Sequence, residues 1–576
     1  MARWVFAQQN DEPLKGPQGV PETIVRILRD RGIIDFSDIE DFLDPFPQRT
    51  YDPFLLNDMA PAAEEILRTA DAGERICIYG DYDADGVTSV SLLLCVFRKL
   101  TDRVCYFIPS RFKEGYGLTR RAVKAIADEG AALIVTVDCG SSAIDEVDYA
   151  RSLGLRMIVT DHHNPCPEAI PACLFINPKR YDTTYPFPHL SGCGVAFKLA
   201  QAIQRLLEEK NDHRFTKTDL NKLLDLVAIS TVADVVPLLD ENRTLVKYGL
   251  EIINRRERPG LEALLNALDF SRKSVEAEHI AYLLAPNINA MGRMQSADIG
   301  AEVLCSGGKS RSELDRLARC MTESNKSRKA EQEKTGKLCR EIIEQGGSGE
   351  WFPVIFAPDA HEGVAGIVAG HLKETLYRPV FIVTSGENGR IKGTGRSIPG
   401  LDLHEMITEV SDLFERFGGH AGACGFTMKR ENLEPLRAAM QKAVLERLRN
   451  DPNLLEEEIL ITKTLDASEK TLDFAQMLRR LEPYGEKNPK PLFCSGDSRI
   501  ESLHFMGRES EHVRFTLRGE DRTPLSCILF RRAGDYGDLL RRDALVDVAG
   551  ELTVNEFRDN QQVQLVVKDM KRGNRQ

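Results

Sequence analysis

Between Arg75 and Asn177 short apolar runs alternate with stretches of helical periodicity. RICIY, ALIVTV, RMIVT and CLFIN each read as a strand, separated by amphipathic segments. Strands alternating with helix-period segments predict βαβ units and a parallel sheet. A mainly helical pattern follows to about Gly300. SELDRLARCMTESNKSRKAEQEKTGKLCREIIEQ then supplies 34 residues of charged helix former, interrupted only by Gly336, and predicts a long connecting helix. After GGSGE a second alternation begins with FPVIFA and PVFIVT and carries GTGRSIPG and FGGHAGACGF, which read as Gly-rich loops of a second α/β domain. The last hundred or so residues change period again. RIESLHFM, HVRFTLRG, LSCILFRR, ALVDVAGELTV and QVQLVVKDM are five short strands at regular spacing, which suit an OB-fold barrel, although other five-stranded barrels would give the same string. The first seventy residues, rich in Pro, Asp and Phe, predict short helices and turns packed on something larger.

The expected organisation is therefore α/β: an N-terminal extension over 1–70, a parallel-sheet domain over 71–305, a connecting helix over 306–346, a second α/β domain over 347–455 and a barrel with its lead-in over 456–576. A chain of 576 residues exceeds what one hydrophobic core usually organises, which agrees with several domains. With 42% hydrophobic and 28% charged residues the composition is globular. No run of about eighteen uncharged apolar residues occurs, and MARWVFAQQNDEP lacks the features of a signal peptide, so a cytoplasmic location without membrane attachment is expected. The thirteen cysteines form no C-x-x-C pair and read as reduced thiols. A net charge of −12 argues neither for nor against nucleic acid, because a binding field is local.

Candidate chemistry sits at the strand ends. ICIYGDYDADGVTS places Asp81, Asp83 and Asp85 between a strand and a helix. Carboxylates this close repel unless a cation neutralises them. The D-x-D-x-D-G string matches half of an EF-hand, but its twelfth position is Leu92 where a bidentate Glu is needed. Asp138 ends ALIVTVDCG, and Asp161, His162 and His163 end RMIVTDHHN. Residues beyond the carboxyl ends of neighbouring parallel strands converge on one crevice. Carboxylates with one or two imidazoles suit Mn²⁺ or Mg²⁺, and a pair of such ions hydrolyses phosphodiesters.

GDYDADG, VDCG, TDHH and STVADVVPL together resemble the four motifs of the DHH phosphoesterase superfamily, in sequence and order closest to its RecJ branch. IPSRFKEGYGL, LSGCGVAFKL, APNINAMGRM, HEGVAGIVAG, GTGRSIPGLDL and GGHAGACGF extend the likeness over nearly the full chain, the last three within a DHHA1-type domain. The resemblance implies a 5′ to 3′ exonuclease of single-stranded DNA that releases 5′-mononucleotides in DNA repair and recombination. It implies two ions, Mn²⁺ or Mg²⁺, one held by Asp83 and Asp138 and the other by Asp85, Asp138, His162 and Asp234. Asp81 would assist the first, and Asp161 would orient a histidine. Arg111, Asn289, Arg293, Arg396, Ser397 and His420 would contact the strand, with the GTGRS glycines opening their N–H groups to a 5′ phosphate. On the barrel, Phe505, Phe515, Phe530 and Phe557 are candidate stacking platforms. A monomer is expected, with single-strand binding protein and a RecQ-type helicase as partners. Smaller-substrate DHH enzymes usually lack a barrel, and non-catalytic relatives lose the carboxylates kept here. Lys487 stands where relatives usually have glycine, so a turn needing positive φ is expected to be altered there, at the junction into the barrel.

Overall fold

A computed structural model describes residues 2–7, 16–45, 50–110, 117–166, 169–270, 273–346, 349–386, 389–557 and 560–573. The chain divides into two compact units. The larger one holds residues 4–292, 297–319 and 459–576, and the smaller holds 1–3, 293–296 and 320–458.

The larger unit begins with helices α1 (Glu22–Asp30) and α2 (Phe36–Leu43). The strands Ile76–Tyr79 (β1), Val104–Phe107 (β2), Leu133–Val137 (β3), Arg156–Thr160 (β4) and Leu174–Ile176 (β5) form an all-parallel sheet in the order β2-β1-β3-β4-β5. Every residue of β1 and β3 is buried, as expected for central strands covered on both faces. The VCYF strand β2 has no counterpart among the predicted strands; it occupies the edge, beside β1. Four helices bear on the site: α3 (Ala84–Leu100), α4 (Gly192–Glu209), α5 (Leu224–Ala233) and α6 (Asp240–Arg255). Helix α7 (Asp298–Cys305) packs on α3, where Gly300 faces Val87.

The predicted connecting helix is α8 (Arg311–Glu344), and the division into units falls within it. In the smaller unit, Val354–Phe356 (β6), Val380–Ser385 (β7), Arg390–Arg396 (β8), Arg416–His420 (β9) and Ala423–Lys429 (β10) form a sheet in the order β9-β10-β8-β7-β6. Helix α9 (Glu362–Leu376) joins β6 to β7. The two segments read as Gly-rich loops are mostly strand. GTGR lies in β8, hydrogen-bonded on both sides to β7 and β10, and the GGH and ACGF segments form the β9–β10 hairpin. The glycines make room for rings: a Cβ on Gly393 would lie 2.0 Å from the Phe426 ring, and one on Gly395 2.4 Å from Phe381. A phosphate nest at these positions is therefore replaced by a ladder packed against aromatics.

Leu492–Met506 (β11), His512–Arg518 (β12), Pro524–Leu529 (β13), Leu545–Phe557 (β14) and Asn560–Arg572 (β15) run β11-β12-β13-β15-β14, and β14 pairs back onto β11. Irregularities between Ser495 and Ser498 and between Ile500 and Ser502 bend the long strand β11, so one strand serves both edges and the barrel closes. Ile24, Leu28, Phe42 and Leu43 from α1 and α2 join Phe493, Phe515, Leu525 and Val548 in one core. The N-terminal extension is thus packed on the barrel. Arg243 of α6, 1% exposed, donates to the carbonyl oxygens of Phe42, Arg480, Leu481 and Glu482 and ties both to the parallel-sheet region. Lys487, in the lead-in to the barrel, keeps a positive φ of 58°, so the expected alteration of that turn is not found. All thirteen cysteines are free thiols, seven of them buried. Among the described residues no helix is long and apolar enough to cross a membrane.

Candidate metal centre

The ends of β1, β3 and β4 bring the acidic turns together, as the parallel arrangement requires. Asp83 caps α3, accepting from the backbone N–H groups of Asp85 at 3.0 Å and Gly86 at 3.1 Å. Asp138 follows β3 in the left-handed region at φ 58°, a conformation that Asp tolerates better than most residues. Asp85 lies in the first turn of α3, almost fully buried, and is held from three sides. Gly192 N–H donates to Oδ2 at 2.7 Å, Cys193 N–H to Oδ1 at 2.8 Å and Ser230 Oγ to Oδ1 at 2.5 Å. Asp234, at the C-cap of α5, is more than a helix cap, because its Oδ2 lies 3.6 Å from His162 Nε2.

His162 is the hub. Its Nε2 is 3.2 Å from Asp138 Oδ1 and 3.7 Å from Asp85 Oδ2, and neither buried ring nitrogen has a hydrogen-bond partner. Burial pushes its pKa below the usual imidazole value, leaving the neutral form that can ligate a metal. Asp161 turns toward the second histidine. It accepts from His163 Nδ1 at 2.8 Å, Ser141 N–H at 2.9 Å, His162 N–H at 2.7 Å and His163 N–H at 3.2 Å. Burial opposes its charge, but the bonds from His163 and Ser141 outweigh it and hold the carboxyl well below the usual range. Burial likewise opposes a charge on His163, yet Asp161 lifts that ring to about 9.

Among the described residues, ligand atoms fall into three groups, each within 4.8 Å: Asp81, Asp83 and Asp138; Asp85, His162 and Asp234; and Asp138, Asp161, His162 and His163. Asp138 and His162 each belong to two. Burial, followed by the charges of Asp85, Asp83, Asp234 and Asp81, pushes Asp138 well above the carboxylate range. Burial and the charges of Asp85 and Asp83 carry Asp234 up to about 8, and burial with Asp85 raises Asp83. Five carboxylates in one buried pocket cannot all ionise near neutrality without a counter-charge, and a divalent cation reverses that balance. Oxygen-rich groups with a neutral, unpartnered imidazole fit Mn²⁺ or Mg²⁺.

The expected strand-contacting residues are more dispersed. Arg111 lies outside the described residues. Asn289 and Arg293 are on the helix Ala285–Met294, not in a loop, and Asn289 Oδ1 accepts from Ala84 N–H at 2.7 Å, supporting the start of α3. Arg293 donates to Gly363 O at 3.0 Å, and the Arg396 guanidinium lies over Gly366, which places both along the first turns of α9. Arg396 ends β8 and pairs with Ala423, itself the partner of His420, so Arg396, Ser397 and His420 cluster at one end of that sheet. Ser397 is buried, and its hydroxyl donates to Leu401 O at 2.7 Å. On the barrel Phe505 is 42% and Phe530 51% exposed, while Phe515 is core and the Phe557 side chain lies outside the described residues. Sequence reasoning assigned no chemistry to LSGCG or Ser230, whose backbone and hydroxyl hold Asp85. The available signal was a Ser N-cap, Ser191, opening a glycine-containing helix start.

Family comparisons agree with this geometry. Residues 75–231 match the DHH family N-terminal domain, 352–446 the DHHA1 domain and 461–569 the RecJ OB domain. The single-stranded-DNA-specific exonuclease RecJ of Bacillus subtilis is 35% identical over 98% of this chain and 70% of its own length. That of Escherichia coli is 33% identical over 97% of each. The crystal structure of RecJ from Thermus thermophilus in complex with Mn²⁺ superposes with a TM-score of 0.80 at 27% identity, covering all of this chain and 80% of that one. Its Mg²⁺ complex gives 0.74 at 26% identity, with 79% of that chain covered. Acidic turns gathered at the ends of a parallel sheet, with a DHHA1 domain beyond, define a DHH-type phosphoesterase. With the matched barrel and relatives aligned along nearly the whole length, the chain belongs to the RecJ family of single-stranded-DNA-specific exonucleases.

Proposed function

We propose that this protein is a divalent-metal-dependent exonuclease that degrades single-stranded DNA from the 5′ end, releasing 5′-mononucleotides in repair and recombination. The observation that carries this reading is the linked set of ligand groups sharing Asp138 and His162, in a chain that also carries a closed barrel. Asp83 and Asp138, assisted by Asp81, would hold one ion; Asp85, Asp138, His162 and Asp234 would hold the other. Bound there, Mn²⁺ or Mg²⁺ supplies activation of the attacking water and neutralisation of charge on the phosphodiester. Asp138, in its left-handed turn, would contribute to both sites. Gly192, Cys193 and Ser230 fix Asp85 so that one face of its carboxylate is committed to the protein. Asp161 keeps His163 cationic beside the phosphate, and the neutral His162 ring keeps a lone pair for a ligand.

Arg396, with Ser397 and His420 at the same sheet end, is assigned to the terminal phosphate, and Arg111, Asn289 and Arg293 to positioning the strand. Phe505 and Phe530 give unpaired bases exposed rings to stack on. A single-strand binding protein and a RecQ-type helicase are the proposed partners, and the proposed state is a monomer. A dinucleotide-sized substrate would have no use for the barrel, which favours a polymeric strand. Digestion of end-labelled single-stranded and blunt duplex DNA with Mn²⁺, Mg²⁺ or excess EDTA tests the reading. Mononucleotides released from the 5′ end of single strands, only with added metal, are expected. Full activity in EDTA, or equal rates on duplex, would remove it.

A further inference from the structure

Cys305 closes α7 and lies 3.9 Å, sulfur to sulfur, from Cys95 on α3. Arg98, three residues beyond Cys95 on the same helix, donates to Cys305 Sγ at 3.0 Å. Arg258 approaches from the other side. One of its nitrogens is 3.9 Å from Cys95 Sγ and 2.9 Å from Leu304 O, while Asp225 anchors the rest of the fork. Both cysteines are only partly buried and both belong to the larger unit, so neither is sealed in a core. Two partly exposed thiols side by side, Cys305 with Arg98 against it and Cys95 with Arg258 near it, have the surroundings of a reactive cysteine pair.

We propose that Cys305 is a peroxide-reactive thiolate and Cys95 its resolving thiol, the two forming a reversible disulfide that ties α7 to α3. The Cys305 thiolate attacks one oxygen of a peroxide; the O–O bond breaks, Cys305 becomes the sulfenic acid, and hydroxide leaves. The Cys95 sulfur then attacks Cys305 sulfur, the S–O bond breaks, and the leaving oxygen takes up the Cys95 proton as water. Two thiols lose two electrons, and hydrogen peroxide is reduced to two waters. The electrostatics divide the roles. The hydrogen bond shared with Cys95, together with Arg98 and the Gly307 N–H, brings Cys305 down to about 6. That same bond, with burial, keeps Cys95 well above the usual thiol value. The sulfurs stand about 1.9 Å farther apart than in a disulfide, so modest side-chain movement joins them. Helix α3 also bears Asp83 and Asp85 at its start, which places the pair on the element that organises the metal centre.

The test is peptide mapping of the full-length protein by mass spectrometry. With iodoacetamide at pH 5.5, about a quarter of Cys305 is thiolate, against about one in a thousand for an ordinary thiol with a pKa near 8.5. Lower intrinsic nucleophilicity offsets about tenfold of that. Cys305 should therefore label roughly twentyfold faster than an unstructured cysteine peptide of ordinary pKa in the same tube. Arg98→Gln should remove most of the advantage. Stoichiometric hydrogen peroxide should yield a Cys95–Cys305 linked peptide that dithiothreitol reverses, and Cys95→Ser should stop at a trappable sulfenic acid on Cys305. Labelling of Cys305 no faster than the free thiol would overturn the proposal. So would an unchanged rate in Arg98→Gln, or a first disulfide between Cys77 and Cys105, which face each other across β1 and β2.

Discussion

Gly192→Ala separates the fold from the metal centre. Gly192 opens α4, its N–H holds Asp85 Oδ2 at 2.7 Å, and its open side rests on Asp138. A Cβ there would lie 2.7 Å from Asp138 Cβ, 2.9 Å from Oδ1 and 3.0 Å from Cα. Carbon atoms in ordinary contact stay about 3.5 to 4.0 Å apart, so Asp138 must retreat by roughly 0.8 Å or more. The backbone itself tolerates alanine, which favours a helix over glycine by up to about 1 kcal/mol. Crowding opposes that gain by about 1 to 3 kcal/mol, so global stability should change by no more than about 2 kcal/mol. Displacing a bridging ligand by close to 1 Å is a different matter, since misplacements of that size cost about a hundredfold in rate. Metal affinity should fall at least about tenfold. The assay is calorimetric Mn²⁺ titration together with digestion of 5′-labelled single strands at saturating Mn²⁺, with thermal unfolding followed by circular dichroism. Gly194→Ala is the control, because the nearest atoms to its Cβ would belong to Leu190 and Ser191, at 3.3 to 3.4 Å, and not to a candidate ligand. Gly192→Ala within about threefold of wild type in turnover, with unchanged Mn²⁺ affinity, would refute the placement of Asp138.

Asp138→Ala should abolish hydrolysis while single-strand binding by filter retention survives, and robust cleavage would exclude the bridging role. Arg396→Ala should weaken binding of 5′-phosphorylated strands about ten- to a hundredfold, the worth of one charged hydrogen bond, and 5′-hydroxyl strands less; equal defects on both ends would exclude a phosphate contact. Arg243→Ala removes the shared donor of four carbonyl oxygens, of which Leu481 O keeps Asn488, and should lower stability in urea by at least about 3 kcal/mol, a loss under about 1 kcal/mol being the contrary result. Lys487→Gly relieves a left-handed backbone at φ 58° and should raise stability by up to about 1 kcal/mol; a lowered melting temperature would show that Lys487 has another role.

The sequence by itself determined which residues can do chemistry here. GDYDADG, VDCG and TDHH each end a strand-like run, and parallel strands with helical crossovers must deliver their carboxyl ends to one edge, so Asp81, Asp83, Asp85, Asp138, Asp161 and His162 were legible as one cluster. Five evenly spaced strands likewise implied a barrel, because a period of two and short turns leave few alternatives. The VCYF strand was not legible as an edge strand, since four half-buried residues carry too little pattern. GTGR and the GGH segment read as loops because glycine is most often a breaker; only the tertiary structure shows Phe426 and Phe381 filling the space that a Cβ would take. Nothing local announces that Ile24 and Phe42 share a core with Phe493 and Phe515, or that Arg243 reaches carbonyl groups more than two hundred residues away. Such choices depend on the fit of amphipathic faces across the whole chain, and burial free energy is non-directional: it marks a face to be covered without naming what covers it. The hold of Gly192, Cys193 and Ser230 on Asp85 belongs to the same class, since backbone N–H groups carry no residue identity and acquire a role only when the fold aims them.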